Sequence, residues 1–587
     1  MHVIATAGHV DHGKSTLVRV LTGMEPDRWA EEQARGMTID LGFAWTTLPK
    51  GPTVAFVDVP GHERFIGNML AGIGPAPAVM MVVGADEGWR AQSAEHLAAA
   101  NALGLRHGLL VVTRSDLADP DLATAQALEY IAHSSLGAVE AVQVSGRTGA
   151  GLEELLDALA RLVSRLPSPR TDGRVRLWAD RSFTIRGSGT VVTGTLAAGT
   201  LAVGDTLMVG EKSLRIKGLQ SLGQSVDRAT AVSRVAVNLR GVTAQEIHRG
   251  MAVVTPAVWA LTTEVDARTH AVVGELPRHA VLHLGSGAFP VRIRPLGDGV
   301  VRLTLAGPLP LEPGDRGILR NAGMGRLEGG VEILDVAPPQ LRRRGAAARR
   351  GEELAGTTGL PDVVQLVARR GAIRPSELAR MGVEVVVSAE LRHEGAWLVS
   401  QQQWQGWAAG LTEALRRNDR QHPLQPGMTV EAARHAVDIP DGGLVIAVAA
   451  TAGLEVSAGR IRRPGSRPSL GPAEAGVAEL EKRLAHNAFA APERPDLTQL
   501  KLGRAELAAA ERVGRILRLS DDVVLLPSAP GVALELLRQL PQPFTTSAAR
   551  AAMGTTRRVA IPLLEHLDRL GWTRAVQPGQ RTVVAPR

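Results

Sequence analysis

The sequence predicts a multidomain chain. An α/β domain comes first, then two β-barrel domains, then tandem helix-turn-helix modules that each carry a β wing. Three observations predict it. Residues 1–170 alternate apolar strands with amphipathic helical stretches, the pattern of a mostly parallel sheet covered by helices. Residues 174–337 change to short strands and Gly-rich turns, and about 165 residues of that kind suffice for two barrels. The remainder sets helical segments against short strand pairs, in units of roughly 60 residues.

The elements follow in chain order. Strands are expected at His2–Thr6, Thr53–Val57, Ala78–Val83, Gly108–Val112 and Ala141–Val144, and helices near 14–22, 91–103 and 151–165. The run Pro167-Ser168-Pro169-Arg170-Thr171-Asp172-Gly173 reads as a linker. The expected barrels are residues 174–258 and 259–337. Residues 338–353, with Pro338, Pro339, Arg342–Arg344, Arg349 and Arg350, read as a basic linker. Four winged-helix modules are expected at 354–405, 406–472, 473–528 and 529–587. Three of them show an apolar or Trp-bearing hairpin: Glu394–Val399, Asp521–Leu526, and Gly571–Arg574 with Thr582–Val584.

Composition narrows the function classes. The chain has 587 residues, 44% hydrophobic and 21% charged, enough for ordinary cores. It has no Cys, which excludes disulfides, thiolate zinc sites, iron–sulfur clusters and a cysteine nucleophile. No apolar stretch approaches the ~20 residues of a membrane span. The N-terminus carries His2, His9, Asp11 and Lys14, unlike a signal peptide. A cytoplasmic protein is expected. Of the 66 basic residues 60 are Arg, an excess that fits a genome biased toward Arg codons. Their placement says more: residues 341–587 carry a net charge of +9 and the first 340 a net of −2. A basic rear half points to a polyanionic partner.

The strongest motif is Gly8-His9-Val10-Asp11-His12-Gly13-Lys14-Ser15, which satisfies G-x-x-x-x-G-K-[ST] between a strand and a helix. Backbone N–H groups there can wrap phosphates, with Lys14 on the β/γ oxygens and Ser15, next to Thr16, supplying a Mg²⁺ ligand. Four more segments stand in the order a GTPase needs. Arg35-Gly36-Met37-Thr38-Ile39-Asp40 offers Thr38 to Mg²⁺. Asp58-Val59-Pro60-Gly61-His62 offers Asp58 to Mg²⁺ through water and the Gly61 N–H to the γ-phosphate. Thr113-Arg114-Ser115-Asp116 offers Asp116 to the guanine N1–H and 2-amino group, and Ser145-Gly146-Arg147 supports the base. Each segment alone would pass for a turn or a cap. In this order they imply GTP and GDP as ligands.

GHVDHGKST (8–16), RGMTID (35–40) and DVPGHERF (58–65) resemble the translational GTPases related to elongation factor Tu. Phe183–Gly194 and Leu311–Arg316 look like that family's second and third domains. A further basic tail of about 250 residues with a winged-helix outline resembles the bacterial selenocysteine-specific elongation factors. Phe544–Arg550, Gly554–Arg558 and Pro562–Asp568 look like their last winged helix. The resemblance implies a GTPase that delivers selenocysteinyl-tRNA to the ribosome at recoded UGA codons, while the tail binds an mRNA hairpin (SECIS). A monomer is expected. It implies that His62 places the attacking water and that Asp180, Arg181 and Arg240 form the selenocysteine pocket. Arg550, Thr555, Thr556, Arg557 and Arg558 are the expected hairpin-binding residues. Thr113 stands where Asn is usual and should tie the guanine loop less firmly, so GDP is expected to leave without an exchange factor. Two other readings fit parts of the chain: a general translational GTPase with an unrelated tail, and a GTP-gated winged-helix DNA-binding regulator.

Overall fold

The computed structural model describes residues 1–26, 38, 40–49, 51–62, 65–187, 189–271, 273–321, 327–360, 362–422, 424, 426–465 and 470–584. Arg35–Met37 and Ile39 of RGMTID, Glu63 and Arg64 of DVPGHERF, and Ser188 lie outside the described residues. The chain forms two compact units, one of Met1–Leu366 with Ile373–Val387, the other of Val367–Ala372 with Ser388–Arg587.

The first unit opens with a six-stranded sheet of β1 (His2–Ala7), β2 (Gly42–Thr47), β3 (Thr53–Asp58), β4 (Ala78–Gly84), β5 (Gly108–Thr113) and β6 (Glu140–Gln143), in the order β2-β3-β1-β4-β5-β6. Only β2 runs antiparallel to its neighbour. All residues of β4 and β5 are buried, as expected of central strands covered on both faces. Val3, Val57 and Met81 pack on one face, and Ile4, Phe56 and Met80 on the other. The covering helices are α1 (Lys14–Thr22), α2 (Ile66–Ile73), α3 (Ala91–Ala102), α4 (Asp121–Ala132) and α5 (Leu152–Ser164).

Two closed barrels follow. In the first, Thr206–Val209, Ala252–Val254, Arg176–Trp178, Gly189–Leu196, Ser233–Arg240 and Lys212–Ser221 pair in a ring that returns to Thr206–Val209. Ser233–Arg240 alternates strictly, so Val235, Val237 and Leu239 face the core while Arg234 and Arg240 face outward. The second barrel closes through Leu261–Thr269, Val300–Pro310, Gly287–Gly297, His279–Leu284, Arg316–Arg320 and Leu327–Asp335.

The stretch 338–353, expected as a linker, is helical from Ala346, and the helix runs to Ala355. Arg350 is 5% exposed and reaches Asp266 at 2.8 Å and Asp335 at 2.6 Å on the second barrel. Asp266 also accepts from Arg302 at 2.7 Å. Two barrel carboxylates need cations once buried, and this segment supplies one of them.

The tail consists of four helical modules, and the division between the two units passes through the first. Hairpins close them at Leu391–Glu394/Trp397–Ser400, Glu455–Ser457/Arg460–Arg462, Leu517–Ser520/Val523–Leu525 and Thr573–Gln577/Gln580–Val583. The boundary expected at 405/406 falls inside a helix spanning Gln401–Gln421. That helix starts earlier because the Ser400 hydroxyl accepts the Gln403 N–H and caps it. Trp404 and Trp407 on this helix belong to the core of the second module. The last two modules share one apolar core that includes Leu484, Ile516, Val524, Leu537, Leu563 and Leu567.

Candidate functional site

The loop between β1 and α1 is shaped by two glycines. At Gly8 (φ +142°) a Cβ would lie 2.2 Å from the Val82 carbonyl oxygen, so no larger residue fits. Gly13 (φ +78°) turns the chain into α1. Lys14 folds back inside the loop, donating to the carbonyls of Gly8 at 3.1 Å and His9 at 2.8 Å. Around it lies a cleft of about 760 Å³. Val10, Asp11, Gly13, Lys14, Ser15, Thr16, Thr38, Gly61, Thr113, Arg114, Asp116, Gly146 and Arg147 line it. The His12 ring lies in the core beneath the loop, its Nδ1 3.4 Å from the Val82 carbonyl. Burial pushes its pKa down to about 4. The His9 ring packs edge-on against it, with centroids 5.0 Å apart.

Ser15, Thr38 and Asp58 converge at the same end of the loop. The Ser15 hydroxyl is 2.9 Å from the Thr38 hydroxyl and donates to Asp58 Oδ2 at 2.7 Å. This hard, all-oxygen set suits Mg²⁺, which prefers one or two carboxylates and completes its shell with water and phosphate. Among the described residues no three His, Cys, Asp or Glu side chains form a metal cage, so nucleotide and water oxygens would supply the other ligands. A Cβ at Gly61 would lie 2.6 Å from the Val10 nitrogen and 2.7 Å from Lys14 Nζ, which puts its backbone against the phosphate loop. His62 follows it, half-buried, its ring 6.1 Å from that of Phe65.

At the other end of the cleft, Asp116 Oδ1 accepts from the Ser145 hydroxyl at 2.6 Å. That bond holds the Asp116 carboxyl below its ordinary range, so it stays an anionic hydrogen-bond acceptor at this end of the cleft. Thr113 donates to the His12 carbonyl at 2.7 Å and ties this loop to the phosphate loop with one hydroxyl. The Arg114 guanidinium is held by Asp86 at 2.8 Å, by Glu87 at 3.2 Å and by the Asp11 carbonyl.

Three contributors escaped the motif reading. Thr6 donates to Asp58 Oδ1 at 2.6 Å and orients that carboxylate. Gln92 Oε1 accepts the Val10 N–H at 3.0 Å, and His96 Nδ1 accepts the Gly8 N–H at 2.9 Å. Their only sequence signal is a polar pair four residues apart on a mostly small-residue helix, which brings both to one face.

The three residues expected in one pocket of the first barrel divide. Asp180 pairs with Arg234, whose Nη2 donates to Oδ1 at 2.7 Å, and accepts from the Thr193 hydroxyl at 2.6 Å. Arg181 and Arg234 line a cavity of about 200 Å³ with Phe43, Trp45, Phe183, Gln220 and Gly223. The Arg234 guanidinium lies 3.8 Å from the centre of the Phe43 ring. Arg240 lies outside this cavity and is exposed. It shares the outward face with Arg234, but lies six strand positions, about 20 Å, along from it. Arg234 replaces it.

The expected hairpin-binding residues divide as well. Arg550, Thr556 and Arg557 are exposed. Arg558 instead donates to the backbone carbonyls of Asp522 at 2.5 Å and Ala491 at 2.7 Å. The Thr555 hydroxyl donates to the Phe489 carbonyl at 2.7 Å. Both sets of bonds join the last two modules.

Residues 1–165 match the family model described as elongation factor Tu GTP binding domain, and residues 535–577 the model described as elongation factor SelB, winged helix. The selenocysteine-specific elongation factor of Escherichia coli (strain K12) is 30% identical over 611 residues, covering 97% of each chain. That of Desulfomicrobium baculatum is 34% identical over 400 residues, covering 65% of this chain and 63% of that protein. The crystal structure of a bacterial selenocysteine-specific elongation factor, EF-Sec, aligns over 100% of both chains with a TM-score of 0.69 and 25% identity. With the phosphate loop, the two barrels and the winged-helix tail all inside those full-length matches, the chain belongs to the selenocysteine-specific elongation factors, a family of translational GTPases.

Proposed function

We propose that this protein, in its GTP-bound form, carries selenocysteinyl-tRNA to the ribosome in the cytoplasm, while its last winged helices hold an mRNA hairpin. The observation that carries this reading is the pairing, in one compact unit, of a nucleotide cleft with a small cationic cavity at Arg181 and Arg234. A selenol is more acidic than a thiol of pKa ~8.5, so selenocysteine is an anion at neutral pH and serine is not. A buried charge left unpaired costs about 2–5 kcal/mol, so a guanidinium pair can separate the two by tenfold or more. The similarity to the Escherichia coli relative runs through the tail, which speaks against an unrelated tail on a general factor. No helix among the described residues is long and apolar enough to cross a membrane.

We assign each residue a part in hydrolysis on the strength of its position. Lys14 and the phosphate-loop N–H groups hold the β- and γ-phosphates. Ser15, Thr38 and, through water, Asp58 would hold Mg²⁺, which neutralises phosphate charge when bound. The Gly61 N–H senses the γ-phosphate, and His62 beside it orients water once the ribosome docks. Asp116 reads guanine, with Ser145 fixing the carboxylate.

Protection of the aminoacyl ester by the GTP-bound protein tests the cargo, with selenocysteine and serine compared on one tRNA. Strong protection of the selenocysteinyl ester alone is expected. Equal protection of both would defeat the pocket assignment.

A further inference from the structure

Arg181 is already engaged. Its Nε donates to Asp40 Oδ2 at 3.0 Å, and its Nη2 reaches the same oxygen at 2.9 Å and the Leu41 carbonyl at 2.5 Å. A second barrel arginine, Arg249, approaches the other oxygen of Asp40 at 3.5 Å and donates to Asn68 of α2 at 2.7 Å. Two guanidiniums of the first barrel thus straddle one carboxylate of the nucleotide-binding domain.

The position of that carboxylate in the chain gives the contact its meaning. Asp40 stands two residues beyond Thr38, whose hydroxyl meets Ser15 in the Mg²⁺ set. Three residues further on, Phe43 forms a wall of the cationic cavity. Six residues therefore lead from the phosphate end of the cleft to the cargo pocket. The charges are matched for this role. Arg181, Arg234 and Arg249 face Asp40 and Asp180, which leaves one positive charge in excess for an anionic ligand. Nε and Nη2 of Arg181 are committed to the protein, so Nη1 remains to meet that ligand.

We propose that Asp40 is a positioning residue that couples the nucleotide state to the cargo pocket. With Thr38 drawn to Ser15, Asp40 seats between Arg181 and Arg249, holds the first barrel on the nucleotide-binding domain and aims Arg181. When the γ-phosphate leaves, Thr38 loses its reason to stay and the carboxylate goes with it. The pocket then loses one wall and its charge balance together. This rests on the reading of Arg181 as a pocket residue.

The test uses the full chain with GDP or a non-hydrolysable GTP analogue, and measures affinity for selenocysteinyl- and seryl-tRNA. Asp40→Asn and Arg249→Ala are each expected to cut the ratio of GTP-state to GDP-state affinity for selenocysteinyl-tRNA by about tenfold. Arg249→Ala keeps the preference for selenocysteine over serine, because it does not line the cavity. Linkage requires that the tightening of the GTP analogue by selenocysteinyl-tRNA fall by the same factor. A merely structural fault would weaken both nucleotide states alike, and that result, like an unchanged ratio, overturns the coupling. Arg181→Ala separates the two readings. If it abolishes the selenocysteine preference while Asp40→Asn and Arg249→Ala keep the full ratio, the pocket stands and the coupling falls. If the preference survives Arg181→Ala, the pocket assignment falls and takes the coupling with it.

Discussion

His96 shows how one buried side chain shapes the phosphate loop. It accepts the Gly8 N–H, so it must be neutral at Nδ1, and burial beside Lys14 and His9 pushes its pKa down to about 3. An unfolded chain takes up this proton near pH 6.5. Between those values the unfolded state binds the extra proton, so stability falls as pH drops below 6.5 and the loss is complete near pH 3. His12, at about 4, acts in the same direction. Urea unfolding from pH 6 to 4.5 is therefore expected to be steeper in pH for the native protein than for His96→Gln. The difference approaches one proton, or about 1.4 kcal/mol per pH unit. His62 is proposed to place the attacking water. His62→Ala should keep GTP binding and lose ribosome-stimulated hydrolysis by roughly a hundredfold or more, read by single-turnover phosphate release. Undiminished turnover would remove it from the reaction.

At the scale of the element, the central strands were legible because β4 and β5 are unbroken apolar runs bounded by loops. Edge strand β2 was not, since half of it is only partly buried and its apolar signal is weak. The helix Ala346–Ala355 was hidden by its own arginines, since composition does not say which guanidinium is covered. Arg350 is covered and Arg349 is exposed. Arg350→Ala leaves Asp335 buried without this cation and should cost about 3 kcal/mol in denaturant unfolding of the first unit. Arg349→Ala should change stability by less than about 0.5 kcal/mol. Equal effects would show that the ion network contributes nothing particular.

At the scale of the molecule, the tail's net charge marked it as a partner surface, but charge alone could not sort its arginines. Arg557 and Arg558 are neighbours at the start of one helix, and successive helical residues point about 100° apart. One faces outward and the other crosses to the preceding module. Arg557→Ala and Arg550→Ala should each weaken hairpin binding and flatten the slope of log K against log salt by about one unit per lost phosphate contact. Arg558→Ala should lower the stability of the tail by about 2 kcal/mol, with the salt slope kept. A salt slope altered by Arg558→Ala alone would reverse the assignment.

Local order and chemistry were written along the chain. The phosphate loop, the hydroxyl and carboxylate that follow it, and Asp116 at the far end of the cleft announce themselves by residue type at fixed spacing beside a strand or helix. The backbone geometry they need is set by near neighbours such as Gly8 and Gly13. Pairings between distant segments were not written there. Asp180 takes Arg234 rather than Arg240, Asp40 takes Arg181, Gly8 leans on His96, and Arg350 turns inward. Each of these depends on which strands and helices come to lie side by side. A charged side chain has the same letter whether its partner is water, phosphate or a buried carboxylate, and packing alone makes that choice.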